Sequence, residues 1–274
     1  MDIAPFRREV VSAALAVREK APLVHNITNY VVMQVSANVL LAAGASPLMA
    51  HAPEELDDLL AVASALVLNI GTPDQAWLDS MFLAGECAAR RGVPVVLDPV
   101  GAGASRLRTD AARNLLRAAR PAVLRGNGSE ILALAAAEGL SSLEAATRGV
   151  DSTKDSAGAV AAARGLARRS GCVVSISGET DYITDGDIVL AVRGGSPLMS
   201  RVTGMGCSAS ALTAAHVAVA GTPLAGAAAA MAVMAEAGEA AARLAEGPGS
   251  FLSRFLDALY LLDARHLEQR VFPA

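Results

Sequence analysis

Short runs of β-branched and other apolar residues alternate along the chain with longer stretches in which apolar positions recur at helical spacing. Residues 65–70, 93–98, 122–125 and 172–177 have the first pattern and are expected to form strands, with helices fitting between them. Such alternation is the signature of a parallel sheet covered by helices on both faces. Residues 182–184 and 188–192 flank Asp185-Gly186 and read as a hairpin, because Asp-Gly supplies the positive φ angles of a tight turn. From residue 206 to about 265 the pattern is helical, with breaks at Gly221-Thr222-Pro223 and Gly247-Pro248-Gly249. No linker-like segment or internal repeat divides the sequence, so residues 1–274 are expected to form one domain.

Composition narrows the partners. Hydrophobic residues make up 53% and aromatics only 3%, so the core is expected to be alanine, valine and leucine packed through helices. A net charge of −4 with scattered arginines gives no basic footprint and argues against nucleic acid. Residues 1–20 carry Arg7, Arg8, Glu9, Arg18, Glu19 and Lys20 in a helical pattern and lack the apolar core of a signal peptide. The apolar runs 211–220 and 224–235 are interrupted and are expected to be buried helices too short for a membrane span. Three cysteines without metal-ligand spacing fit a reducing compartment, and a cytoplasmic protein is expected.

In an open α/β sheet, ligands bind beyond the carboxyl ends of the strands. The polar groups that end strands are Asn69-Ile70-Gly71-Thr72, Asp98-Pro99-Val100-Gly101-Ala102-Gly103, Arg125-Gly126-Asn127-Gly128-Ser129-Glu130 and Ser177-Gly178-Glu179, and all four are expected at one edge. A fifth segment, Arg201 through Ser210, places Gly204 and Gly206 where a long apolar helix begins. The free N–H groups of Gly204, Met205, Gly206 and Cys207 would make that junction an anion hole. A thiol at a helix N-terminus has a lowered pKa, which makes Cys207 a candidate base or nucleophile.

The sequence argues against two common phosphate-site motifs. A P-loop needs Gly-Lys-Ser/Thr, and the only lysines, Lys20 and Lys154, do not follow a glycine. Gly204-x-Gly206-x-x-Ala209 matches a loose dinucleotide fingerprint, yet it comes after the strands, and no acidic residue ends a strand about 20 positions later. Taken together, the strand-end groups suit phosphoryl chemistry. Asp98 and Glu130 are hard oxygen ligands for Mg²⁺, directly or through water, and Arg125 and Asn127 can contact phosphate oxygens. Taken singly they are blander: Asp98 would cap a turn, and Arg125 and Glu130 would pair at the surface. Cys87, Cys172, Met231 and Met234 read as packing residues, and His25, His51, His216 and His266 share no ligand spacing. Glu179 is expected to support a loop.

His25-Asn26-Ile27-Thr28-Asn29, Gly44 through Ala50, Leu68-Asn69-Ile70-Gly71-Thr72, Val96 through Gly103, Arg125 through Glu130 and Val202-Thr203-Gly204-Met205-Gly206-Cys207 resemble the hydroxyethylthiazole kinases, in order from about residue 20 to 220. That family belongs to the ribokinase-like superfamily, whose other members generally carry Gly-x-Gly-Asp where Cys207 stands. The resemblance implies a three-layer α/β/α fold with a mostly parallel sheet. It implies that ATP and Mg²⁺ phosphorylate the hydroxyl of 4-methyl-5-(2-hydroxyethyl)thiazole for thiamine synthesis, with Cys207 as proton acceptor. Met49, Gly204, Asn26 and Asn29 would contact the thiazole. Arg125, Ser177 and Asn127 would contact ATP, serine keeping the hydroxyl of the family's usual threonine, and Asp98 and Glu130 match the acidic Mg²⁺ positions. A homotrimer with sites near subunit boundaries is also implied, a neighbouring subunit serving as the lid that the short hairpin does not provide. Two alternatives stand beside it: an ATP- or ADP-dependent dehydratase of hydrated nicotinamide nucleotides, expected to have aspartate at position 207, and a non-catalytic thiazole- or nucleotide-binding trimer.

Overall fold

A computed structural model describes residues 3–140 and 157–274; Lys154 lies outside the described residues. Among the described residues nine strands form one sheet: β1 (Leu23–Ile27), β2 (Ser46–Met49), β3 (Ala65–Asn69), β4 (Val95–Asp98), β5 (Val123–Asn127), β6 (Val173–Ser177), β7 (Thr180–Thr184), β8 (Val189–Arg193) and β9 (Val271–Pro273). Their order is β2-β1-β3-β4-β5-β6-β7-β8-β9, parallel from β2 to β6 and antiparallel beyond. The expected strands are present, with starts or ends shifted by one to two residues. Strands β1, β2 and β9 were not foreseen, and β9 adds an edge after the helical region.

The helices are α1 (Ala4–Lys20), α2 (Met33–Ala43), α3 (Leu56–Val62), α4 (Gln75–Arg91), α5 (Arg106–Ala119), α6 (Gly128–Ala137), α7 (Val160–Ser170), α8 (Met205–Val217), α9 (Pro223–Leu244) and α10 (Pro248–Tyr260). Successive side chains of a strand point to opposite faces, so each central strand feeds two cores. Val24, Val67, Val96 and Val123 join the alanine-rich packing of α1, α2, α8, α9 and α10. Leu66, Leu68, Leu97 and Leu124 face the other way, onto α3 to α7. This is a three-layer α/β/α arrangement.

Two expectations are corrected here. The residues around 224–235 belong to a continuous 22-residue helix, α9, long and apolar enough to cross a membrane; 83% of its apolar window is buried inside the protein, which makes it a core helix. The hairpin loop is not a two-residue turn. It spans residues 185–188, with positive φ only at Gly186, while Asp185 Oδ1 accepts from the N–H groups of Asp187 and Ile188.

Candidate active site

Parallel strands β3, β4, β5 and β6 bring Asn69, Asp98, Asn127 and Ser177 to one edge of the sheet, as expected, and β1 and β2 add Asn26 and Met49 there. The first turn of α8 arrives over the same edge. Gly204 is its N-cap at φ 86°, a left-handed conformation that glycine adopts without steric cost. The first helical bond runs from the Ser208 N–H to the Gly204 carbonyl at 2.8 Å, which leaves the preceding N–H groups of Met205, Gly206 and Cys207 outside the helical ladder.

A hydrogen-bonded chain crosses the sheet edge beneath that turn. Asn29 Nδ2 donates to Cys207 Sγ at 3.5 Å and to Asn69 Oδ1 at 2.9 Å. Asn69 Nδ2 donates in turn to Asp98 Oδ2 at 2.7 Å, and Ser210 Oγ donates to the same oxygen at 2.7 Å. From β5, Arg125 Nη1 reaches the Gly206 carbonyl at 3.0 Å, while its buried Nε has no partner among the described residues. Cys207, Asn29, Asp98 and Arg125 therefore lie around one helix turn.

Electrostatics revises one expectation. The Cys207 thiol is not lowered: burial pushes it up to about 11, the Asp98 carboxylate adds to that, and the amides of Asn69 and Asn29 oppose it. Burial also raises Asp98, to about 6, against the pull of Arg125 and with a push from Glu130. A buried carboxylate beside a second one is a hard-oxygen donor set short of positive charge, and two carboxylates with water and phosphate oxygens suit Mg²⁺. Among the described residues no group of three acidic, histidine or cysteine side chains gathers as a denser metal site.

Asn127 and Glu130 have a structural task as well. They form the capping box of α6: the Glu130 N–H donates to Asn127 Oδ1 and the Asn127 N–H to Glu130 Oε2, both at 2.9 Å. Glu130 Oε1 accepts from the Gly101 N–H at 2.9 Å, which joins it to the loop after Asp98. Glu130 is thus held by backbone amides, and Asp98 is buried among side chains rather than capping a turn.

The remaining candidates separate cleanly. Met49 ends β2 opposite Asn26, whose Nδ2 donates to the Val24 carbonyl and whose buried Oδ1 has no partner among the described residues. Ser177 Oγ donates to the Gly126 carbonyl at 3.5 Å. Cys172 is buried and pushed up to about 12, Cys87 donates to Asp57 Oδ1, and Met231 and Met234 are core. His25 and His216 are buried with burial lowering both, and His51 stacks on Trp77. Asp181, not Glu179, supports the loop after β6, its Oδ1 accepting from the Gly178 N–H at 2.9 Å. Sequence reasoning missed Asp181, Arg108 and Ser210. Ser210 alone carried a signal, standing three residues beyond Cys207 on one helix face.

The chain matches the model of the hydroxyethylthiazole kinase family over residues 15–265. It is 59% identical over 256 residues to the hydroxyethylthiazole kinase of Nitratidesulfovibrio vulgaris (strain DSM 19637 / Miyazaki F), covering 93% of this chain and 94% of that protein. It is 58% identical over 262 residues to that of Oleidesulfovibrio alaskensis, covering 96% of each. Among solved structures it is similar to a hydroxyethylthiazole kinase protein from Pyrococcus horikoshii OT3, with a TM-score of 0.89, 41% identity and coverage of 97% and 99%. The pyridoxal kinase of Bacillus subtilis, at 17% identity and a TM-score of 0.57 over 79% of this chain and 91% of that one, shares the ribokinase-like fold alone.

Proposed function

The chain belongs to the hydroxyethylthiazole kinase family, and on that premise we propose that its strand-end cluster phosphorylates the hydroxyl of 4-methyl-5-(2-hydroxyethyl)thiazole with ATP, supplying the thiazole half of thiamine. The observation that carries this assignment is the convergence of Arg125, Asn29 and Asp98 on the first two turns of α8. A helix N-terminus with an adjacent guanidinium stabilises the charge that develops on a transferring phosphoryl group.

In this scheme Met49, Asn26, Asn29 and Gly204 hold the thiazole alcohol, and Arg125, Asn127 and Ser177 hold ATP. The alcohol oxygen bonds to the γ-phosphorus in line, the bond to the β,γ-bridging oxygen breaks, and ADP leaves. N–H groups of residues 204–207 receive the negative charge of the passing phosphoryl oxygens. The hydroxyl proton goes to the sulfur of Cys207, whose thiolate Asn29 steadies by donating from Nδ2. Asp98 and Glu130 would hold Mg²⁺, which when bound neutralises charge on the phosphate oxygens.

The dehydratase alternative would need aspartate where Cys207 stands, and the relatives compared above carry the name of the kinase. We take the assembly to be a homotrimer: Tyr30 and Val31, 59% and 60% exposed beside Asn29, offer a neighbouring subunit an apolar edge to cover. A cytoplasmic setting agrees with three free cysteines. One continuous sheet supports treating residues 1–274 as a single kinase domain. The test is ADP release from MgATP with and without the thiazole alcohol, with Cys207→Ala beside the wild type. Thiazole-dependent turnover that Cys207→Ala nearly abolishes is expected; a folded, ATP-binding protein with none sinks the assignment.

A further inference from the structure

We propose that Arg108 is a positioning residue that sets the geometry of Asp98 and Glu130 through two peptide planes; this rests on the assignment of those carboxylates above. Arg108 lies in the first turn of α5. Its side chain reaches back to the sheet edge. Nη1 donates to the Ile70 carbonyl at 3.0 Å and to the Val100 carbonyl at 2.8 Å, and Nη2 donates to the Gly71 carbonyl at 2.7 Å.

The peptide bond is planar, and in these trans peptides the carbonyl and the following N–H point in opposite directions. Holding the Val100 oxygen therefore fixes where the Gly101 N–H points, and it points to Glu130 Oε1 at 2.9 Å. Holding the Ile70 oxygen fixes the Gly71 N–H in the same way, and it donates to Asn69 Oδ1 at 3.0 Å. The other end of that amide, Asn69 Nδ2, donates to Asp98 Oδ2 at 2.7 Å. One guanidinium nitrogen thus orients two peptide units, one leading to each carboxylate. A cation on the carbonyls also polarises both peptides, which strengthens the N–H groups as donors. Lysine cannot replace the fork, because an ammonium is a compact point donor and does not span three carbonyls in a fixed plane.

The experiment compares Arg108→Ala and Arg108→Lys with the wild type, each checked for folding by circular dichroism and thermal melting. Amide hydrogen exchange at Gly71 and Gly101 is measured on the free protein, without metal or substrate. Steady-state kinetics then give kcat, KM for the thiazole alcohol and the Mg²⁺ concentration for half-maximal rate. In Arg108→Ala both glycine amides are expected to exchange faster, and the Mg²⁺ requirement to rise by about tenfold, with kcat falling similarly and KM for the alcohol changing less than about twofold. Added guanidinium ion restores part of the rate in Arg108→Ala, and Arg108→Lys stays impaired.

Unchanged exchange at both glycines overturns the proposal. So does wild-type Mg²⁺ dependence in a folded variant that has merely lost thermal stability. If Arg108→Ala does not fold, Arg108→Lys decides on the same readouts, wild-type values again overturning it. Failure of the wild type to phosphorylate the alcohol removes the kinase assignment, and the exchange measurement still decides whether Arg108 orients the two peptides.

Discussion

Arg125 and Gly206 are fastened together, the guanidinium Nη1 donating to the glycine carbonyl at 3.0 Å. A β5 side chain and the first turn of α8 thereby share one position, although 81 residues separate them. A Cβ on Gly206 would stand 3.1 Å from Nη1, so the guanidinium would have to give by a few tenths of an ångström to keep the contact. Gly206→Ala is therefore expected to displace Arg125 and raise KM for ATP by about tenfold, a cost of roughly 1.4 kcal/mol. Thermal stability should not fall, because alanine is the better helix former by up to about 1 kcal/mol. Steady-state kinetics beside a melting curve check both, and an unchanged KM for ATP would detach Arg125 from the nucleotide.

In the proposed scheme Asp98 exchanges stability for chemistry. Its native pKa, raised to about 6 from 3.8 chiefly by burial, means the folded state binds the proton more tightly than the unfolded chain. Stability from this group is complete below pH 3.8 and is lost as pH rises through about 6. Asp98→Asn keeps an oxygen for Asn69 and Ser210 and never ionises. The variant should be more stable than the wild type at pH 7.5, by at most roughly 3 kcal/mol and several degrees in Tm, and equal to it near pH 4. Asp181, also raised to about 6 by burial, leaves a residual pH dependence in both proteins. Activity of Asp98→Asn should fall at least about 100-fold. A variant less stable than the wild type at pH 7.5 contradicts this account.

What the sequence could reveal depended on whether a residue acts through its own neighbours. Strands β3 to β6 were legible because they are buried on both faces, Asp98 because it ends such a strand and Glu130 because it follows one. β1 and β2 were obscured: Leu23–Ile27 contains His25 and Asn26, and Ser46–Met49 contains Pro47, polar or β-breaking residues that tertiary pairing overrides. The lowered pKa expected of Cys207 followed from its helix position, but burial and the proximity of Asp98 reverse it, and neither is a local property. Arg108 was invisible for the same reason, since its partners lie on loops that only the fold brings beneath α5.

Asn29 is held more closely against Gly71 than Arg125 is against Gly206. A Cβ at position 71 would stand 2.7 Å from Asn29 Cγ, too near for both to remain. Gly71→Ala is expected to push the Asn29 amide away from Cys207 and Asn69, costing about 1 kcal/mol for each bond lost. KM for the thiazole alcohol should rise about five- to tenfold while KM for ATP changes less than about twofold. Separate titrations of the two substrates measure this, and equal effects on both would place Asn29 outside the alcohol's surroundings.

The raised pKa of Cys207 gives the proton-acceptor role a visible consequence. With a thiol pushed up to about 11, only the thiolate can take the hydroxyl proton, and that form is scarce near neutrality. At pH 8 it is roughly one part in a thousand, and it grows about tenfold for each pH unit. The wild-type kcat should therefore climb across pH 6.5–9 without levelling off. Cys207→Asp places a carboxylate that is already ionised over most of that range, so its profile should be flat above about pH 7. Cys207→Ser, with a hydroxyl that does not ionise, should be slower by about 100-fold or more. A wild-type profile as flat as that of Cys207→Asp would mean that Cys207 only donates or accepts a hydrogen bond as a neutral thiol, and the N–H groups around it would then carry the catalysis alone.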